Sequence, residues 1–229
     1  MLMFSFIGQL IERPKKSNTY YEAVSAYLPK RLKETMKIGL TGGIGCGKST
    51  VVESFARAGW RTIETDKVAA DLLQNDTIVR NALSERWGSQ VFDSVSGAVD
   101  RKSIARIVFS DKAELDWLEQ QLHPKIRMHW INACKEHPQA SWLVEIPLLL
   151  EKRLESYFDF VVSVVCNDSV VDCRLAEKGF TREAISRRRN RQFPLSAKVH
   201  SAHYVLHNSG SRDFLNKQIQ HLIKAICPV

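Results

Sequence analysis

The run Gly42-Gly43-Ile44-Gly45-Cys46-Gly47-Lys48-Ser49-Thr50 limits what this chain can fold into more than any other stretch. It meets the phosphate-loop pattern, Gly-x-x-x-x-Gly-Lys-Ser/Thr, at every fixed position. The flanks agree. Ile38 and Leu40 lie in a short run that reads as a buried strand, and Ser49 to Ala58 reads as a helix stopped by Gly59. Gly43, Gly45 and Gly47 lack a Cβ atom, so the backbone there can turn successive N–H groups, through Cys46 and on to Thr50, toward phosphate oxygens. The helix N-terminus adds partial positive charge beneath the same oxygens. Lys48 is then placed to bridge β- and γ-phosphates, and the Ser49 hydroxyl to hold Mg²⁺. The pattern implies a P-loop NTPase, an α/β protein that binds a nucleoside triphosphate.

The remaining composition narrows this reading. A length of 229 residues suits one large domain, or one domain with a sizeable insertion. No apolar run approaches the roughly 20 residues needed to cross a bilayer, so no membrane association is expected. Five cysteines, Cys46, Cys134, Cys166, Cys173 and Cys227, show no C-x-x-C spacing. That favours a reducing compartment, hence a cytoplasmic protein, over a disulfide frame or a zinc site. Cys46, beside a helix N-terminus and Lys48, is either a thiol of lowered pKa or simply a small residue that fits the loop. The net charge of +8 is uneven: residues 1–35 contribute +3 and residues 177–191 contribute +4. Two compact basic stretches fit local phosphate handling better than a broad nucleic-acid surface, so no nucleic-acid partner is expected.

Read in order, residues 1–35 form an N-terminal extension unlike the rest. Met1 to Leu10 is apolar, but Arg13-Pro14-Lys15-Lys16 follows rather than precedes it, the wrong order for a secretory signal. The kinase-like domain spans 36–229, with Met36 an alternative start. A second strand at Trp60 to Ile63 ends in Glu64-Thr65-Asp66. Because ligands gather beyond the carboxyl ends of strands, Asp66 is placed to orient or deprotonate an attacking hydroxyl; the other reading is a helix N-cap. About 68–135 reads as a helical insertion of the kind that builds an acceptor lobe. Within it Asp100 and then Ser110 or Asp111 are caps, and one helix is expected to end or bend at His123-Pro124.

Further on, Ser141 to Glu151 resembles a buried strand running into a turn, with Glu145 where P-loop proteins often keep an acid close to the Mg²⁺ shell. Phe158 to Val165 is the next strand and Val170 to Lys178 a helix closed by Gly179. Thr181 caps a helix expected over Arg182 to Gln192, carrying Arg187, Arg188, Arg189 and Arg191. Such a segment, about 177–195, is either a solvated face or a lid whose arginines stabilise charge on a transferred phosphoryl group. Tyr204 to Leu206 reads as a last strand, and Asp213 as the cap of a C-terminal helix.

These residues resemble the dephospho-coenzyme A kinases from Met36 to the C-terminal helix. The marks are the loop with Ile38-Gly39-Leu40-Thr41 before it, Glu64-Thr65-Asp66, Val99-Asp100-Arg101-Lys102, Leu122-His123-Pro124, Ile146-Pro147-Leu148-Leu149, Arg188 four before Gln192, and Asn208-Ser209-Gly210. The resemblance implies a nucleotide-kinase-like fold: a parallel five-stranded sheet flanked by helices, a helical acceptor-binding insertion and a lid. It implies ATP and dephospho-coenzyme A as substrates, the ribose 3′-hydroxyl as acceptor, and Mg²⁺ as cofactor. On that mapping Asp66, Lys48 and Arg188 are catalytic. Gly43, Gly45 to Thr50, Arg188 and Asn208 bind ATP, and Asp66, His123, Pro124 and Leu148 face the acceptor. From its type alone His123 reads as structural. The chain departs from the pattern at Glu64 and Glu145, where Asp is usual, at His203, where Asp precedes the last strand, and at Ala70, where an Arg commonly stands. Lys67 and Arg106 are the nearby candidates for that arginine's contacts. A monomer or weak homo-oligomer is expected. Two other readings are a different small-acceptor nucleoside or nucleotide kinase, and a nucleic-acid-binding NTP switch.

Overall fold

A computed structural model describes residues 35–226. The expected N-terminal extension lies outside the described residues except for Thr35, as does Cys227. Thr35–Ile219 forms one compact unit, and the end of the last helix, from Gln220, falls outside it.

Five strands make one sheet: β1 (Lys37–Gly42), β2 (Arg61–Glu64), β3 (Trp142–Glu145), β4 (Phe160–Val165) and β5 (Tyr204–His207). Their order is β2-β3-β1-β4-β5, and every pairing is parallel. A parallel sheet is covered by helices on both faces, which is why β1, β3 and β4 are buried along nearly their whole length. β1 sits between β3 and β4, so the chain leaves it toward one edge and later crosses it to the other. This reversal opens a crevice beyond the carboxyl ends of β1 and β3.

Helix α1 (Lys48–Arg57) leaves the phosphate loop one residue earlier than expected. From Thr65 to Glu136 the chain is mainly helical: α2 (Thr65–Asn75), α3 (Thr77–Trp87), α4 (Arg101–Ser110) and α5 (Lys112–Glu136), with a short turn held by the Phe92–Val99 bridge. Asp76, Asp100 and Asp111 each cap one of these helices, accepting from Val79, Lys102 and Ala113 N–H respectively. Of the two outcomes expected at His123-Pro124, an end or a bend, α5 rules out the end. It runs unbroken for 25 residues with Pro124 inside it. Its two halves belong to different cores: Leu118 and Leu122 pack with Leu83, Trp87 and Ile104 in the helical module, while Trp130 packs with Trp142, Leu149 and Phe158 on the sheet. Packing on both sides outweighs the single backbone hydrogen bond that proline removes.

After β4 come α6 (Asp168–Glu177), α7 (Arg182–Arg189), α8 (Leu195–Ser201) and α9 (Arg212–Ile226). α7 stops at Arg189, so Arg191 and Gln192 lie in a turn rather than on the helix. α8 was not foreseen in the sequence. Asp213 falls in the first turn of α9, and the Ser211 hydroxyl, accepting from Phe214 N–H, occupies the cap instead.

Candidate active site

The phosphate loop connects β1 to α1 at the mouth of the crevice. Gly47, with φ +85°, sits in the left-handed region, and a Cβ there would fall 2.1 Å from Asn208 Nδ2. That amide nitrogen donates to the Cys46 carbonyl at 2.8 Å, so Asn208, at the end of β5, clamps the loop's backbone. At Gly42 a Cβ would meet the Val164 carbonyl oxygen at 2.4 Å, which makes glycine obligatory where β1 runs into the loop. The Lys48 ammonium lies across the loop, donating to the Gly42 and Gly43 carbonyls at 3.4 and 3.2 Å. Glu145 Oε1, from the end of β3, is 3.7 Å from the same ammonium. Burial pushes the Glu145 carboxyl up to about 7, helped by Asp66 and Glu64 and opposed by Lys48.

Two cavities, each of about 600 Å³, flank the loop and share Gly45, Lys48 and Asp66. The first runs along the loop past Ser49, Thr50, Glu64, Glu145 and Asn208. The second extends over the helical module and is lined by His123, Leu148, Arg188, Phe109 and Phe180 among others. Most of the expected site residues therefore converge on one continuous crevice, with Lys48 and Asp66 at the junction. Asp66 lies in the first turn of α2, while the N-cap position belongs to Glu64. The capping reading of Asp66 falls, and its exposed carboxylate faces the crevice.

Four expectations need correction. Pro124 is exposed and lies outside the cavity lining, because the residue after His123 on a helix points about 100° away from it. The Cys46 side chain is buried at 2% exposure, and burial raises its thiol pKa, so the lowered-pKa alternative is replaced by the one in which it fits the loop. Lys67 and Arg106 also line neither cavity: Lys67 pairs with Glu64 at 2.6 Å, and Arg106 donates to Ser103 at 2.8 Å. Gly43 does not line the cavities either, and its carbonyl is engaged by Lys48.

Arg188 stacks over the rings of Phe109 and Phe180, at 5.3 and 4.9 Å from their centroids, which aims its guanidinium into the cavity. Burial lowers its pKa, as do Arg187 and Arg191, while Asp66 acts in the opposite sense. The turn behind it is fastened to the loop: Gln192 Oε1 accepts from Ile44 N–H at 3.1 Å. Lys198 on α8, fully buried, donates to Glu151 at 2.9 Å, to the Pro147 carbonyl at 2.7 Å and to Thr41 Oγ1 at 3.3 Å. Glu151 Oε1 in turn accepts from Phe193 N–H at 2.7 Å. Sequence reasoning missed Lys198, and it marked Gln192 without foreseeing its bond to the loop. The one local signal for α8 was Pro194, standing just ahead of a helix too short to show periodicity.

A family model described as Dephospho-CoA kinase matches residues 36–213. The chain belongs to the dephospho-CoA kinase family. A curated relative of that name from Chlorobaculum tepidum is 32% identical over 198 residues, covering 84% of this chain and 95% of the relative. Among solved structures, TT1252 from Thermus thermophilus is 31% identical, with a TM-score of 0.71 over 83% of this chain and 97% of that one. Dephospho-CoA kinase from Campylobacter jejuni shares the fold at 24% identity, with a TM-score of 0.63 over 83% and 96% of the two chains. The five-stranded parallel sheet implied for the dephospho-CoA kinase family is thus present here. His203, one of the departures, accepts from Val161 N–H through Nδ1 at 3.0 Å. It bonds the neighbouring strand as a neutral ring, and burial lowers its pKa accordingly. No helix among the described residues is long and apolar enough to cross a membrane.

Proposed function

We propose that this chain transfers the γ-phosphoryl group of ATP to the ribose 3′-hydroxyl of dephospho-coenzyme A, the last step in making coenzyme A. The observation that carries this reading is the junction of two cavities at Lys48 and Asp66, one running along a phosphate loop and the other over an apolar wall. Phosphoryl transfer depends chiefly on positioning and on stabilising developing charge, and each task has a group here. Backbone N–H groups from Gly45 to Ser49 receive the triphosphate, and the Lys48 ammonium exchanges its carbonyl partners for phosphate oxygens. The Asp66 carboxylate orients the acceptor hydroxyl and takes its proton late in transfer. Arg188 neutralises charge on the group in flight, its aromatic supports limiting the side-chain entropy lost in doing so. Asn208 supports ATP binding by holding the loop. His123 and Leu148 contribute to the acceptor wall.

The Ser49 hydroxyl, with the Glu145 carboxylate lining the same cleft, is a set of hard oxygen donors that fits Mg²⁺ bound together with ATP phosphates. Such an ion would supply charge neutralisation to the phosphates. On this reading 68–135 receives the acceptor, 177–195 acts as the lid and 1–35 is an appendage. The test is ADP release coupled to a spectrophotometric assay, with ATP, Mg²⁺ and a panel of dephospho-coenzyme A, adenosine, nucleoside monophosphates and shikimate. Turnover confined to dephospho-coenzyme A supports the reading, and preferred turnover of another acceptor overturns it.

A further inference from the structure

One side of the acceptor cavity carries more positive charge than its own carboxylate can balance. Glu119, on α5, is the hub. Its Oε1 accepts from Arg191 of the turn after α7, and its Oε2 accepts from Lys152 of the turn after β3 at 2.7 Å. His123 Nε2, one helical turn along, is 3.9 Å from Oε2. Arg127, another turn along the same face, has a buried Nε with no hydrogen-bond partner. All five side chains line the cavity. Burial would raise the Glu119 carboxyl, but Lys152, His123 and Arg191 together bring it below its usual range. A buried guanidinium edge left unbonded is costly, and so is a surplus of cations against apolar walls. An arriving anion with several oxygens would relieve both.

We propose that Lys152, Arg191 and Arg127 form a subsite for a diphosphate group, and that Glu119 is an internal counter-ion which that diphosphate displaces. This rests on the reading that the acceptor enters this cavity, and the ligand class is an organic diphosphate ester. Arg191 gives the subsite a second consequence. It belongs to the same turn as Gln192, whose side chain accepts from the phosphate-loop amide of Ile44. Release of Arg191 from Glu119 therefore changes what holds the arginine-bearing turn at the moment the acceptor binds.

The sign of one substitution separates this role from a structural one. Glu119→Gln removes the competing charge, so diphosphate should bind more tightly although the free protein is less stable. The primary measurement is thermal unfolding of the full chain against inorganic pyrophosphate, in a Lys48→Ala background that weakens binding at the phosphate loop. Glu119→Gln should reach a given stabilisation at a pyrophosphate concentration at least about threefold lower, and Lys152→Met/Arg191→Met at one at least about tenfold higher. With Lys48 intact, Glu119→Gln should lower KM for dephospho-coenzyme A while KM for ATP stays within about twofold. A weaker pyrophosphate response in Glu119→Gln overturns the proposal, as does a KM change confined to ATP, which would assign the diphosphate to the nucleotide. Should Glu119→Gln fail to fold, Arg127→Met decides, because a guanidinium whose Nε is unbonded can be removed with little loss of structure. An unchanged pyrophosphate response in that variant overturns the proposal. The pyrophosphate measurements need no turnover. A pyrophosphate response as expected, in a chain that does not phosphorylate dephospho-coenzyme A, would keep the subsite and reject the acceptor.

Discussion

The phosphate loop and the cavity proposed for the acceptor meet at Lys48 and Asp66, yet they are built in opposite ways. The loop is local and made of backbone. Its contacts come from consecutive residues, and its shape rests on glycines at which any Cβ would collide with Val164 or Asn208. The cavity is made of side chains brought from α2, α4, α5, the turn after β3, and the segment around α7. Backbone loops tolerate almost no substitution at fixed positions but bind any triphosphate, whereas a side-chain wall tolerates change and carries selectivity. The difference teaches where to look for each property. On the proposed reading, most of ATP binding resides in a few consecutive residues, and acceptor choice is spread over a span of more than a hundred.

The largest effect should come at the junction. Asp66→Asn should leave folding and ATP affinity nearly intact while kcat falls by about 10² or more, read in the coupled assay with ATP titration. Since the cap position belongs to Glu64, normal turnover in Asp66→Asn would move the base elsewhere in the crevice. Next comes Arg188→Ala, expected to lower kcat at least about tenfold. Arg189 pairs on the surface with Asp172 at 2.8 Å and Asp168 at 3.3 Å. Exposed pairs contribute about 0–1 kcal/mol, so Arg189→Ala should stay within about threefold. Equal effects at the two arginines would erase the distinction between cavity wall and surface.

Gly47→Ala probes the backbone side. It combines a left-handed φ, which costs about 1–2 kcal/mol for a residue with a Cβ, with a collision at Asn208. kcat/KM for ATP should fall by about tenfold or more, with KM for the acceptor little changed. Adding Asn208→Ala removes the collision but not the strain, so it should restore part of the loss. Full restoration would show that sterics alone fix glycine there.

A pH effect comes next. The Glu145 carboxyl, pushed up to about 7 chiefly by burial, loses its proton in the folded enzyme well above the usual carboxylate range. A limb near pH 7 in kcat/KM is expected, and Glu145→Gln should abolish it. For stability the sign runs the other way. The folded state binds the proton more tightly than the unfolded one, so this group's contribution declines as pH rises from about 4.5 to about 7. His123 and His203 are lowered, mainly by burial, so their contribution declines as pH falls below the ordinary histidine value of about 6.5. Thermal melts across pH 5 to 8 on wild type, Glu145→Gln and His203→Gln would separate the two trends. The smallest effect is expected from a chain beginning at Met36, whose turnover should stay within about twofold of the whole. A larger loss would give residues 1–35 a role in one of the two sides.

How much was legible follows the same division. The loop, the strands beside it and the caps at Asp100 and Thr181 could be read because each is decided by neighbours in sequence. The fate of Pro124 could not, because a proline's local veto was overruled by two cores that only the fold assembles. Arg191 looked like one more residue of an arginine-rich helix. The helix stops at Arg189, and that places Arg191 against Glu119, a partner 72 positions away. Lys198 gave no sign of burial, since its three partners come from β1 and from the turn after β3. Cys46 left two readings open for a related reason: proximity to a helix N-terminus pointed to a reactive thiol, and its burial, which only the fold shows, decided for the small residue that fits the loop.

The unbroken helix α5 has a mechanical consequence. Over its 25 residues it is a shaft about 37 Å long, anchored at one end in the helical module and at the other against the sheet. Ile126 packs on both cores, near the shaft's midpoint. Two bodies keyed to one axle cannot slide freely past each other, so any change of angle between them concentrates where the axle is weakest. That place is beside Pro124, whose missing N–H leaves one rung of the helix unmade. Glu119 and Arg127 lie on either side of it. A small flexure there would alter the distance between the two ends of the cavity wall without disturbing the packing of either core.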